Sequence, residues 1–185
     1  MDIHQFMQPL AGVIGIAASI VLVVGIFKAK AEQSFAAFML WAMLDIIATL
    51  TSVMEQGNYW LPLSNALGSA TIAILLVKRK QVSWSRIETF TSILVVICLI
   101  VWFVAGEQSG IIASSLAVVI ASIPQMKETY AKPEDTPANA YIIFLIANLV
   151  AFFAGKSWSV EERFYPACSI FLCVVIVVLA LRKKK

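Results

Sequence analysis

The stretch PLAGVIGIAASIVLVVGIF, residues 9–27, runs nineteen positions without a formal charge and is closed by Lys28 and Lys30. A hydrocarbon slab roughly 30 Å thick takes about 20 mostly apolar residues per helical crossing, so this one segment predicts a membrane-spanning helix. Six further windows of similar length follow, at 34–54, 59–77, 87–105, 108–125, 137–155 and 165–181. The links between them are too short to hold a soluble domain. The whole chain of 185 residues is 61% hydrophobic and 14% charged, with a mean hydropathy of +0.88. These values exclude a water-soluble core and predict an all-α membrane protein with seven transmembrane helices.

Seven crossings place the termini on opposite faces, and the basic residues divide accordingly. Lys28, Lys30, Lys78, Arg79, Lys80, Arg86, Lys127, Lys132, Arg182, Lys183, Lys184 and Lys185 fall on one side, Lys156 and Arg163 on the other. This segregation predicts an N-terminus outside and a C-terminus in the cytosol. Tyr59, Trp60, Trp102, Trp158 and Tyr165 then mark the outer boundary, with Trp84 and Tyr130 at the inner one. The first eight residues hold Asp2 and His4 but no Lys or Arg, unlike a secretory n-region, so helix 1 is expected to be retained. Cys98, Cys168 and Cys173 all fall inside expected helices and read as buried thiols. The net charge of +3 sits at helix ends, where it reports topology; no nucleic-acid partner is expected.

The chain also matches itself. GVIG at 12–15 faces GIIA at 110–113, and AEQSFAAFMLWAMLD from Ala31 faces PEDTPANAYIIFLIAN from Pro133. YWLP at 59–62 faces FYP at 164–166, and LLVKRK at 75–80 faces LALRKK at 179–184. The offset drifts from 98 to 104. Helix 4 stands outside the match, and a single linking helix lets a second three-helix unit repeat the orientation of the first. The expected organisation is therefore 3+1+3, with parallel repeats at 1–80 and 108–185 and a linker helix at 81–107.

Pro124 and Gln125, in SIPQMKETY, stand at the expected cytosolic end of the second repeat's first helix. With the 3+1+3 plan, this pair resembles the PQ-loop and SWEET superfamily of membrane transporters. The resemblance covers nearly the whole chain and implies alternating access between two three-helix bundles. Ile26 and Phe27 hold the matching positions in the first repeat, a departure from the family pattern. Pro124 removes a backbone hydrogen bond and reads either as a hinge or as a helix terminator. Pro9, Pro62 and Pro166 lie near outer helix starts, where proline is tolerated.

Asp45 is the one formally charged residue deep in an expected helix, at a cost on the order of 3 kcal/mol. It reads as a proton-coupling carboxylate, as a contact to a polar or cationic substrate, or as a structural hydrogen-bonding group. Asn148 lies at nearly the same depth in helix 6 and matches Asp45 in the repeat. Asn65, in helix 3, matches the region of Ser169 in helix 7. Trp41 is four residues before Asp45, on the same helix face. SWEET-like proteins bind sugar with asparagines of each repeat's third helix and aromatic side chains of the second. By that resemblance Asn65 and Trp41 are substrate contacts, while Ser169 is a departure. The alternatives are that Trp41 faces lipid and that Asn65 and Asn148 join helices to one another. Gly12, Gly15, Ser19, Gly110, Ala113, Ser114 and Ala117 give helices 1 and 5 small packing faces.

The sequence holds no Gly-rich phosphate cradle, no zinc-protease helix and no nucleophile elbow, and its one histidine, His4, lies in the N-terminal tail. Neither an enzyme nor a cofactor or metal is expected, and helix 7 has no lysine for a retinal Schiff base. The leading expectation is a carrier of a small polar solute, sugar-like or another small metabolite. Its expected partners are that solute, membrane lipid and, in one alternative, protons. That alternative is a proton-coupled amino-acid or vitamin carrier; from another class come a cargo receptor or a scaffold. A bacterial cytoplasmic membrane is the expected location, and the oligomeric state is left open.

Overall fold

The computed structural model describes residues 3–28, 31–105 and 107–182, all of them in helices or the turns that join them. The helices are α1 (Ile3–Phe27), α2 (Phe35–Met54), α3 (Trp60–Lys78), α4 (Arg86–Ala105), α5 (Glu107–Ala121), α6 (Ile123–Ala131), α7 (Ala138–Phe153) and α8 (Val160–Ala180). A 3-10 turn at Pro133–Asp135 precedes α7. Among the described residues, five helices are long and apolar enough to cross a membrane: Ile3–Phe27, Phe35–Met54, Trp60–Lys78, Ile111–Ala131 and Glu162–Ala180. Helix α7 is apolar but has only 16 residues. Expectations that concern Asp2, Lys30, Gly110, the Cys98 and Trp102 side chains, and Lys183 to Lys185 lie outside what the structure describes.

The distribution of polarity is inverted relative to a water-soluble bundle. Val13, Ile20, Met43, Ile46, Leu67, Ile74, Phe171 and Val178 are exposed, while Gln33, Asp45, Ser69, Thr91, Ser115, Gln125, Thr129 and Asn148 are buried. Polar groups that cannot meet water collect where other helices supply partners, and the apolar side chains turn outward.

Helices α1 and α2 each pack along α3, and α5 and α7 each pack along α8. Across these groups α1 lies on α7, α2 lies on α5, and α4 lies on α5. Close approach depends on small residues. A Cβ at Gly12 would come within 3.0 Å of the Trp60 carbonyl oxygen, and one at Gly15 within 2.6 Å of Ser64 Oγ. Gly12, Gly15 and Ser19 are buried along α1, and Ala113, Ser114 and Ala117 along α5. These are the packing faces that the sequence leads one to expect.

Two contacts recur at a fixed interval. Arg79 donates to the Phe27 carbonyl at 2.5 Å and lies over the Phe27 ring. Arg182 donates to the Tyr130 carbonyl at 2.6 Å and lies over the Tyr130 ring. Each pair is 52 residues apart, and the second follows the first by 103 positions. At that interval Pro124 and Gln125 stand opposite Val21 and Leu22, five positions from the Ile26 and Phe27 that the sequence match pairs with them.

Several helix limits differ from expectation. Helix α1 begins at Ile3, so Pro9 lies inside it rather than at its start; the carbonyl it leaves without a donor belongs to exposed Gln5, near the helix end. His4 consequently belongs to the first turn of α1, where its ring nitrogen lies 3.2 Å from the Ala154 carbonyl. Helix α8 begins at Val160, which places Pro166 inside it. Arg163 explains that early start, since it donates to the carbonyls of Phe152, Gly155 and Ser157 and stacks on Trp158.

Pro124 stands at an interruption between α5 and α6. The helix breaks at Ser122, whose N–H is shared between the Val118 and Val119 carbonyls at 3.2 Å each, and resumes through Ala131. Pro124 falls in the first turn of α6, where a missing N–H costs least. The interruption therefore sits just before the proline, and two further turns follow it.

Candidate functional site

Four helices present regularly spaced side chains to one another, and a cavity lies between them. Helix α2 contributes Phe38, Trp41 and Asp45; α7 contributes Tyr141, Phe144 and Asn148. The two triplets share the spacing i, i+3, i+7, which keeps each on a single helix face. Helix α3 contributes Asn65 and Ser69, and α8 contributes Tyr165, Ser169, Leu172 and Cys173, with Val118 of α5 completing the wall. Trp41, Asp45, Asn65, Asn148 and Ser169, the five contacts read from the sequence, thus line one cavity.

Asp45 is 2% exposed, and its Oδ1 accepts the Tyr165 hydroxyl proton at 2.6 Å. That hydroxyl in turn accepts from Asn65 Nδ2 at 3.1 Å. Because the single hydroxyl proton is committed to the carboxylate, the Asn65 amide must turn its NH2 toward the tyrosine. Asn65 Oδ1 is then left buried without a partner. Asn148 reaches a similar state by another route. Its Nδ2 donates to the Phe144 carbonyl at 2.7 Å and approaches Cys173 Sγ at 3.9 Å, while Oδ1 has no partner. A buried acceptor without a donor costs about 1–3 kcal/mol, which two residues of the same wall incur here.

Trp41 does not face lipid. It is buried, edge-on to Phe38 at 4.8 Å, and its indole N–H donates to the Val118 carbonyl at 3.1 Å, one turn before the break at Ser122. Asn65 joins α3 to α8 through Tyr165, whereas Asn148 bonds mainly within its own helix.

Tyr165 is the correction of greatest consequence. Its place in the sequence points to a boundary anchor, yet it is buried and holds the carboxylate. Sequence reasoning also passes over Phe38, Tyr141 and Phe144. The signal was present, because Tyr141, Phe144 and Asn148 follow Phe38, Trp41 and Asp45 by the same 103 positions.

Gln125 does not reach the cavity. Fully buried, it accepts the Ser34 N–H at 2.8 Å and donates to Thr129 at 3.2 Å, so it ties α6 to the start of α2. Ser34 caps α2 by accepting the Ala37 N–H. Other bonds close the same end: Tyr141 donates to Gln33 at 2.6 Å, the Glu32 N–H to the Asp135 carbonyl, and Lys132 pairs with Glu32 at 2.5 Å. The hydrogen bond and charge of Glu32 raise the Lys132 pKa above its ordinary value. Thus the cavity floor toward the basic end is bonded across from α2 to α6 and α7.

Among the described residues, no group of three or more His, Cys, Asp or Glu side chains is placed to hold a metal. No family model matches the chain, and neither a curated protein nor a solved structure matches it.

Proposed function

We propose that this chain is an integral membrane carrier that moves a small polar solute by alternating access. In this reading α1–α3 and α5–α8 are parallel repeats joined by α4, and the central cavity is the transport site. The observation that carries it is the composition of the cavity wall. Both halves contribute aromatic and polar side chains at matched positions, around an apolar space holding a few buried polar groups. Such an arrangement is that of a small-molecule site rather than of a packed core.

The reciprocal packing of α1 on α7 and α2 on α5 supports the two-bundle reading, because exchanging the halves maps one contact onto the other. The break at Ser122 supports a hinge beside Pro124. The concentration of positive residues at one end supports a cytosolic position for that end, with the N-terminus outside, in a bacterial cytoplasmic membrane. Asp45 is the candidate for proton coupling, since it is the carboxylate of the cavity wall.

The test is uptake by purified protein in proteoliposomes, with a panel of sugars, amino acids and vitamins, with and without an inward proton gradient. Saturable uptake of one class supports the carrier, and its gradient dependence decides the role of Asp45. Silence across a correctly folded preparation sinks the reading in favour of a receptor or scaffold. Sidedness is tested by labelling Glu55→Cys and Val82→Cys in a background without native cysteines. Glu55 is expected to react from outside and Val82 from inside.

A further inference from the structure

The polar groups of the cavity wall are unequal in what they offer. Tyr165 is the one described side chain bonded to the Asp45 carboxylate, and it occupies Oδ1 alone. Among the described residues, no Lys, Arg or His lines the cavity. Asn65 spends one amide N–H on Tyr165 and Asn148 spends its amide on the Phe144 carbonyl and Cys173, while the Oδ1 atom of each is buried without a partner. The charged group of this wall is thus the Asp45 carboxylate, with the hydroxyls of Ser69 and Ser169 as further polar lining. Around it stand the rings of Trp41, Tyr141 and Phe144.

We propose that the cavity takes a small solute bearing an ammonium group, its positive charge met by Asp45 and its C–H surface laid on the aromatic rings. A carboxylate beside aromatic faces attracts such a cation by charge and by the ring quadrupoles together. An anion would meet like charge with no base to offset it. A sugar would bring no charge for the carboxylate to meet. The inference rests on the carrier reading for the use of the site, but the chemistry of the site decides the ligand class.

The experiment measures thermal unfolding of the full-length protein in detergent with choline or ethanolamine. Controls are 3,3-dimethylbutan-1-ol and ethylene glycol, neutral molecules of related shape, together with glucose and acetate. The ammonium probes are expected to raise the midpoint in a concentration-dependent manner, the neutral ones not. Asp45→Asn is expected to weaken the ammonium effect about tenfold or more, as expected for removing one partner of a buried charge pair. Asp45→Glu should retain part of the effect, and Asn148→Asp should strengthen it, which keeps the test open if Asp45→Asn fails to fold. Protection by glucose or a neutral isostere that is equal in wild type and Asp45→Asn overturns the proposal, as does no shift with either ammonium probe. Binding of an ammonium probe without uptake in proteoliposomes would instead sink the carrier reading and leave the ligand class. Uptake of a neutral sugar that ignores Asp45→Asn would do the reverse.

Discussion

The halves α1–α3 and α5–α8 agree in their frame and differ in their chemistry. Arg79 over Phe27 and Arg182 over Tyr130 make the same contact, and Phe38 and Trp41 of one half stand where Tyr141 and Phe144 stand in the other. Yet at the same interval of 103 Asp45 faces Asn148, Asn65 faces Cys168, and Pro62 faces Tyr165. The only carboxylate of the cavity wall and the hydroxyl that holds it come from different halves. If the halves are repeats, as proposed, they differ at the centre while the contacts at their ends remain alike.

Asp45→Asn makes the two second helices alike at this depth and should have the largest effect. Initial uptake should fall on the order of 30-fold or more, corresponding to about 2 kcal/mol or above. If the residue couples protons, uphill accumulation should vanish while exchange persists; an unchanged pH dependence would remove that role.

Pro124→Ala addresses the other asymmetry, since Val21 stands opposite the proline. An alanine restores a donor for the Ile120 carbonyl and should heal the break at Ser122. Transport is expected to slow several-fold, roughly 1 kcal/mol in the rate-limiting step, with ligand binding unchanged. Equal loss of both would indicate misfolding.

Tyr165→Phe removes the bridge between Asp45 and Asn65 while keeping the ring. A loss of about 1–3 kcal/mol in stability or ligand affinity is expected, read from thermal midpoints and titration. Arg79→Ala and Arg182→Ala form the most direct test of the shared frame. Their destabilisation should be small and equal, and a clear inequality would argue against equivalent halves. Lys132→Gln should have the smallest effect, because the Glu32 pair is half-exposed. Its Lys132 pKa is raised, so the contribution is present below the ordinary lysine value of 10.5 and is lost only as pH rises through the folded value. Thermal midpoints of wild type and variant should therefore differ equally across neutral pH.

The site residues Trp41, Asp45, Asn65, Asn148 and Ser169 were legible because a charge or amide within an apolar helix is costly, and helical periodicity assigns it a face. Tyr165 was not, because an aromatic residue near a helix mouth serves equally well as an interfacial anchor. Only the hydrogen bond from this side chain of α8 to Asp45 of α2 separates the two roles. The starts of α1 and α8 were missed for a related reason. Gln5, Gln8, Glu162 and Arg163 end an apolar window without ending a helix, and Gln8 and Arg163 are occupied with backbone carbonyls of the neighbouring turn. Pro124 announced a disturbance in its helix, but whether the chain would stop or continue depended on Gln125 and Thr129, which anchor α6 to its neighbours.

The outward-facing aliphatic surface has a thermodynamic consequence. Separating these helices within a bilayer would exchange contacts with protein for contacts with acyl chains, both apolar, and would expose little new hydrocarbon to water. The heat-capacity increment that curves the stability of soluble proteins with temperature should then be small for that step. Cohesion would rest on close approach at positions such as Gly12 and Gly15, and should decline on heating in a nearly straight line, with no shoulder of weakness in the cold.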